Sequence, residues 1–577
     1  MRLTRRAFVN LSVAASLGAS ASRLLGQGVS THTAKAQPKL APSGRPFNAH
    51  FTDVAKQAGL TAPVIYAKPD YNDYILEATG CGCAFVDYDN DGWMDLFVLS
   101  GTRIEGAPEG ATNRLYKNNR DGTFTDVTER AGLRDTGWAC GVCVGDYNND
   151  GFADILVTCV GQSRLFRNTG KGTFVDATQT SGLGGRTGFS TSALWFDYDR
   201  DGLLDLFLCN YVRWTPDHDV FCSLDGKNKS YCTPEAYRGD TCWLFHNRGN
   251  GTFEDVTARC GVFDSSSKSL GVAMIDADID GWPDLFVAND TQPNKLYRNL
   301  RDGTFKDVAV EAGLAFSAEG KARAGMGVDA ADFENTGVPG LAVTNFDNEM
   351  IGLYRPMGRG LFEDVAIKAG IGPASRNSLG FGCVFADLDL DGDLDLVVAN
   401  GHIDETVRNI RGNVGYAQPP HLFLNQGNGT FKDAASEAGR EFSQSRVGRG
   451  LACADFDRDG DVDLLMTTNN GPAVLFKNDQ TSGNRFVRFR LTGTVSNRDA
   501  IGATVRIFQG GTSQSRLVKS GSSYLSQSEL PLTFGVGRRD RLERVVVSWP
   551  NGRTEEFTNV ATGKAYDCVE GKGKLTT

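Results

Sequence analysis

Histidine and methionine are scarce in this 577-residue chain, at six and seven copies. No CxxC…CxxC pair is present to hold zinc. Cys140-Gly-Val-Cys143 stands alone inside an apolar, strand-like run. There is no heptad array, which argues against a coiled coil. After the N-terminus no apolar segment is long enough for a membrane helix, so no integral membrane segment is expected in the mature chain. Excess positive charge is also missing. The net charge is −10, which disfavours electrostatic binding of nucleic acid. No cofactor motif appears, and no reactive Ser or Cys can be assigned to the one His–carboxylate pair of note, His402 with Asp404.

What is present begins with an address. Arg5 and Arg6 precede a mildly apolar stretch, residues 8–19, that is too short to span a bilayer. Residues 1–36 read as a twin-arginine-type signal, with cleavage after Ala21 or Ala36, and the protein is expected in the periplasm or outside the cell. The first 36 residues carry five basic side chains and no acids, so their removal takes the charge from −10 to −15. Thirteen cysteines are permissible after export. Cys222 and Cys232, ten apart in a polar loop, are the disulfide candidate. Others, such as Cys81, Cys83, Cys383 and Cys453, lie in apolar strands and read as small buried hydrophobes or as pairing partners.

Glycine is abundant (69), phenylalanine common (34), and the chain repeats itself between residues 47 and 480. Each unit runs apolar strand, acidic loop, apolar strand, x-L-[YF]-x-N, then G-T-F-x-D-V. The terminal strand motif occurs seven times, starting at Phe51, Phe124, Phe174, Phe253, Phe305, Phe362 and Phe431. Its first copy precedes the first acidic loop, whereas the last acidic loop has no such strand after it. Seven copies in this offset predict an all-β, seven-bladed β-propeller whose last blade is closed by the N-terminal strand.

The acidic loops carry side-chain oxygens at positions 1, 3, 5 and 9 and glycine at position 6. They are Asp87, Asp89, Asp91 and Asp95; Asp146, Asn148, Asp150 and Asp154; and Asp197, Asp199, Asp201 and Asp205. Three more are Asp276, Asp278, Asp280 and Asp284; Asp387, Asp389, Asp391 and Asp395; and Asp455, Asp457, Asp459 and Asp463. Alternate side chains of a tight turn converge on one point, and crowded carboxylates suit Ca²⁺ better than the smaller Mg²⁺. One such loop would be an ordinary Asp-Gly turn, but six in register predict about six structural calcium sites. A seventh loop (Asp332, Glu334, Thr336, Gly340) has lost acids at positions 5 and 9, so calcium is doubtful there.

In a four-stranded blade the acidic loops and the G-T-F turns share one face. The long insertions, residues 211–241 and 401–420, fall on the other, where a protein or glycan partner is expected. Asn210, Asn289, Asn345, Asn400 and Asn469 end the second strands there, near Tyr211, Arg213, Trp214, Asp290, Asp347, His402 and Asp404. They read as strand-end caps, with a polar ligand near the axial channel as the alternative.

These repeats resemble FG-GAP/VCBS repeats, the calcium-loop blades of integrin α-subunit propellers. From Asn484 onward the composition changes to short alternating strands, predicting a small β-sandwich or barrel over residues 484–570. Asn497-Arg-Asp-Ala-Ile-Gly-Ala-Thr-Val505, Gly521-Ser-Ser-Tyr-Leu-Ser-Gln527, Leu532-Thr-Phe-Gly-Val-Gly537 and Val545-Val-Val-Ser-Trp-Pro-Asn-Gly552 look like the ASPIC/UnbV domain. Together the two resemble bacterial members of the cartilage acidic protein family, which implies a secreted, calcium-binding, non-catalytic binding or adhesion module. The competing expectation is a periplasmic propeller enzyme, a cofactor-dependent oxidoreductase or polysaccharide lyase. Arg485, Arg488, Arg490, Arg498 and Arg506 make the start of the C-terminal domain basic, read as a solvated strand face or an acidic-glycan site.

Overall fold

The computed structural model describes residues 47–577 apart from 69–70, 105, 109, 136, 224–226 and 228. The signal segment and its cleavage points lie outside the described residues. The molecule is all-β and propeller-like, with only short helices between strands.

Each repeat forms a four-stranded antiparallel sheet in chain order. In the first the strands are Cys83–Val86, Asp95–Val98, Arg114–Asn118 and Phe124–Asp126. Strands one and two are buried end to end, as their apolar runs require when both faces are covered. The second and third repeats are fused into one eight-stranded sheet, because Gly161 and Val160 pair with Gly188 and Phe189. The seventh repeat supplies Gly448–Ala454, Asp463–Thr468 and Val474–Asn478, and its fourth strand is Phe51–Asp53, with Phe51 opposite Asn478. First strands of successive repeats touch, and that of the seventh touches that of the first.

The C-terminal region is two further four-stranded sheets. One is ordered Leu532–Gly535, Phe486–Thr492, Lys564–Val569, Leu575–Thr576; the other is Thr512–Leu517, Thr504–Gln509, Arg541–Ser548, Thr554–Ala561. Their inward residues, among them Val487, Phe489, Ile507, Val545 and Trp549, join the same buried cluster as the second to fourth repeats.

Between these sheets the chain makes an excursion, residues 519–529, in among the first strands of the repeats. Gln527 exchanges backbone hydrogen bonds with Phe85 and Cys83 of the first repeat, and Leu525 accepts from Val142 of the second. Ser520 and Leu525 bond to the third repeat, Ser523 to the fifth (Val328) and sixth (Cys383), and Ser528 and Glu529 to the seventh (Cys453). The segment is a plug cut to fit. A Cβ on Gly82 would lie 1.7 Å from the Leu525 carbonyl oxygen, and one on Gly521 would lie 2.1 Å from that of Ala193.

The closing strand is short but firmly anchored. Phe51 is fully buried against Phe442 and Phe476, 5.3 and 6.3 Å between ring centroids. Phe51→Ala is expected to cost about 3–5 kcal/mol, read by denaturant unfolding; a loss below about 1 kcal/mol would mean the strand does not hold the seventh sheet.

Candidate metal centres

The acidic loops are wired alike. In the first five the position-1 carboxylate accepts the amides of positions 5 and 6: Asp87 from Asp91 and Gly92 at 2.9 and 3.0 Å, Asp276 from Asp280 and Gly281 at 3.0 and 2.9 Å. Position 5 accepts from the amide of position 7, as Asp91 does from Trp93 at 3.0 Å. Position 9 is the deepest. Asp95 is fully buried and takes the amides of Asn118 and Tyr88 at 2.7 and 3.3 Å, so it braces the loop besides facing its centre. Ligand oxygens of Asp87, Asp89 and Asp95 lie within 4.8 Å of one another, as do those of Asp197, Asp199 and Asp201 and of Asp276, Asp278 and Asp284.

Those bonds leave carboxylate oxygens over. Asp89 Oδ1, Asp154 Oδ2, Asp199 Oδ1, Asp278 Oδ1, Asp387 Oδ1 and Asp455 Oδ1 are buried with no hydrogen-bond partner, so each of the six complete loops has at least one. No acid of the fifth loop has such an oxygen. Burial pushes the carboxyls up, Asp95 to about 8, Asp154 to about 9, Asp197 to about 8 and Asp284 to about 7. Bare buried oxygens among crowded carboxyls of this kind fit a hard divalent cation.

Protein cations approach the same loops. Lys117 bonds Asp89 and Asp91, and Lys477 bonds Asp457 and Asp459. His246 lies 3.1 Å from Asp205, which raises its pKa. In the degenerate fifth loop Arg355 Nε donates to both oxygens of Glu334, at 2.8 and 2.9 Å. The Arg506 guanidinium lies over Gly337, where a Cβ would be 3.0 Å away.

Position 4 of each loop has a positive φ, and in five of the seven its side chain reaches the next repeat. Asn90 donates to the Gly151 carbonyl at 2.7 Å, Asn149 to Gly202 at 2.9 Å, Arg200 to Gly281, and Asn335 to Gly392 at 3.1 Å. Arg200 also stacks on Trp282, and Arg458 of the seventh loop on Trp93 of the first. The Asn that ends each third strand makes a second bridge, to the preceding repeat's loop: Asn168 to Tyr88 and Asn247 to Tyr147, both at 2.8 Å, and Asn118 to Phe456 at 3.0 Å. The fourth–fifth boundary lacks both bridges, because Ile279 cannot donate and Pro356 replaces the Asn.

The C-terminal sheets sit on this face, and the position-6 glycines are where they land. Arg498 lies over Gly151, the Val495 carbonyl over Gly202, Gln514 over Gly392 and Phe486 over Gly460, where a Cβ would lie 2.0 Å from the ring. The basic stretch is therefore largely committed within the chain. Arg488 is nearly buried against Glu529 at 2.6 Å and beside Asp455, while Arg490 and Arg485 pair with Asp567 and Asp540. Neither the solvated-face nor the glycan-site reading fits Arg488.

On the opposite side the second-strand asparagines are structural. Asn210 donates to the Thr241 carbonyl, Asn289 to Pro293 and Asn400 to Pro419, each at 2.8 Å, and Asn345 to Met350 at 2.8 Å. Asn400 and Asn469 each keep an Oδ1 buried without a partner. His402 Nδ1 accepts the Asp404 amide, and Nε2 is 3.7 Å from Asp347, itself ion-paired with Arg411. Burial pushes His402 down to about 4. Three segments interlock over this side: Asn72 bonds Ile403 and Tyr231, and Arg449, fully buried, gives its N–H groups to the carbonyls of Ala78, Gly401, Gly448 and His402. Cys222 and Cys232 are disulfide-bonded, Cα atoms 5.3 Å apart.

The FG-GAP-like repeat model matches residues 87–157, 156–208, 218–287, 276–343 and 400–466, more than half the chain. The ASPIC and UnbV model matches 493–575. The chain belongs to the FG-GAP-like repeat family. Human cartilage acidic protein 1 is 28% identical over 65% of this chain, and the mouse protein 26% over 84%. The match spans 52% of the human protein's own length and 72% of the mouse protein's. Solved structures align loosely. YCF48 bound to D1 peptide covers 76% of this chain and 99% of its own, at 7% identity and a TM-score of 0.41, too low to bear on function.

Two features of this FG-GAP-like protein escaped the reading of its residues: the docking of the C-terminal sheets on the loop face, and the plug. The available signal was the uncharged stretch 520–528 between Lys519 and Glu529, which pair with Asp329 and Arg488. Carboxyls whose folded pKa is raised favour the folded state below the ordinary carboxylate range, and that stability is lost as pH rises through their folded values, here about 7 to about 9. The chelated protein is therefore expected to melt higher at about pH 5 than at about pH 8, with calcium reversing the order. Calorimetry with and without calcium checks it; equal melting of the chelated protein at both pH values would contradict it.

Proposed function

We propose that this protein is an exported, calcium-loaded binding module that works without catalysis. In this reading the seven sheets form a closed seven-bladed propeller, and six loops each hold one Ca²⁺ between position-1, -3, -5 and -9 oxygens. The fifth loop holds none. The observation that carries the reading is the buried carboxylate oxygen left without a partner in each complete loop and in no acid of the fifth. The ion supplies charge neutralisation and ties two strands of a blade together; binding only the folded state, it stabilises by mass action.

The partner, a protein or glycan, would meet the side opposite the loops. The C-terminal sheets already occupy the loop side, whereas the disulfide-tied insertion presents Phe221, 64% exposed, and Val220 on the other. The polar side chains there are largely engaged in capping and cross-linking, which favours binding over turnover. Among the described residues no helix is long and apolar enough to cross a membrane.

Metal analysis of the purified mature protein should return about six calcium ions per chain, and excess EGTA should lower the melting temperature by about 10 °C or more. An unchanged melt would sink the calcium reading. Saturable binding on a glycan or protein array would support the module; organic-cofactor absorbance or turnover would replace it with the enzyme.

A further inference from the structure

The six complete loops are not equally covered. Only in the sixth are positions 1, 3 and 9 all buried, Asp387, Asp389 and Asp395 being 2%, 3% and 1% exposed. In the first and fourth loops positions 1 and 3 are both partly open. The cover on the sixth is the C-terminal domain. Gly535 N–H donates to Asp387 Oδ2 at 3.0 Å, on the oxygen that also takes the loop's own Gly392 amide. Gly537 N–H donates to the Leu390 carbonyl at 3.1 Å, and Asn484 Nδ2 to that of Asp389 at 2.9 Å. The approach admits no side chain, since a Cβ on Gly535 would stand 2.2 Å from Asp387 Oδ2 and 2.4 Å from the Leu390 backbone. The other oxygen of Asp387, Oδ1, is buried with no partner.

We infer that the sixth loop is an interdomain cation site, in which Asp387 serves a divalent ion through Oδ1 and the C-terminal domain through Oδ2, so that metal occupancy and domain docking are linked. The inference rests on the reading that the loops bind calcium, and it adds a site-specific coupling to it. Without an ion, a buried carboxylate must take up a proton or water. The Gly535 strand covers this one, and it is joined through residues 530–531 to the plug. Linkage is reciprocal, so disturbing the Gly535 contact must in turn loosen the ion.

The test uses the full chain loaded with calcium and two matched variants, Asp387→Asn and Asp276→Asn. Asp276 is the position-1 residue of the fourth loop, and it accepts the Asp280 and Gly281 amides of that same loop. Each variant should lose one calcium by metal analysis. Only Asp387→Asn should raise amide hydrogen exchange at least tenfold in peptides covering 519–529 and 532–537. Exchange that is unchanged in Asp387→Asn despite the lost ion, or equal in the two variants, overturns the inference while leaving the calcium reading intact; a wild-type chain with no bound metal removes the reading beneath it. Gly535→Ala keeps the test open if Asp387→Asn fails to fold. It alters no loop residue, yet one of the six ions should leave at least tenfold faster under chelation. Six ions leaving at unchanged rates would overturn the coupling.

Discussion

Carboxylates packed into turns repel one another, and that repulsion governs how the molecule is built. Twenty-three aspartates stand at the ligand positions of six loops. At separations of a few ångström in a partly buried setting, each like-charge pair costs on the order of several kcal/mol unless a cation, a proton or water intervenes. Position 1 spends its oxygens on the turn's amides and position 9 braces the third strand, yet each loop keeps a buried oxygen with nothing to accept from. The fifth loop has less charge to offset. Having lost two acids, it satisfies Glu334 with Arg355 and sets Arg506 above Gly337.

The loop face does more than gather carboxylates. Position 6 is glycine in every loop and has a positive φ in each, which a tight turn requires. The same bare backbone gives the C-terminal domain somewhere to land, with Arg498, Val495, Arg506, Gln514 and Phe486 each lying over one glycine. From that platform the plug reaches the first strands of six repeats. The C-terminal domain is thus part of the repeat assembly: its apolar residues share a buried cluster with the second to fourth repeats, and Glu529 and Lys519 form ion pairs at the base of the plug.

The contrast between what could and could not be read from the residues follows from sequence distance. The loops, the strand order of each sheet and the supply of Phe51–Asp53 to the seventh repeat are written in local chemistry repeated seven times, so copies confirm one another's register. The role of 519–529 is written nowhere locally, since Ser, Gly and Gln in a short run read as a surface turn. Its polar groups are met by strands as far as 443 residues away, the Ser526 hydroxyl accepting from the Cys83 amide. The arginines misled for the same reason: Arg488 alternates with apolar neighbours as an exposed strand residue would, but its partner Glu529 lies 41 positions on. Position 9 looked like one ligand among four, and its bracing of the third strand needed the third strand's position.

The account stands on cations filling the complete loops and being excluded from the fifth. Crystals of the mature protein grown with calcium, with data collected at a long wavelength, would show this in an anomalous difference map. The account predicts a peak in each of the six complete loops, including the one sealed beneath Gly535, and none between Asp332 and Glu334. Empty complete loops, or a peak in the fifth, would contradict it.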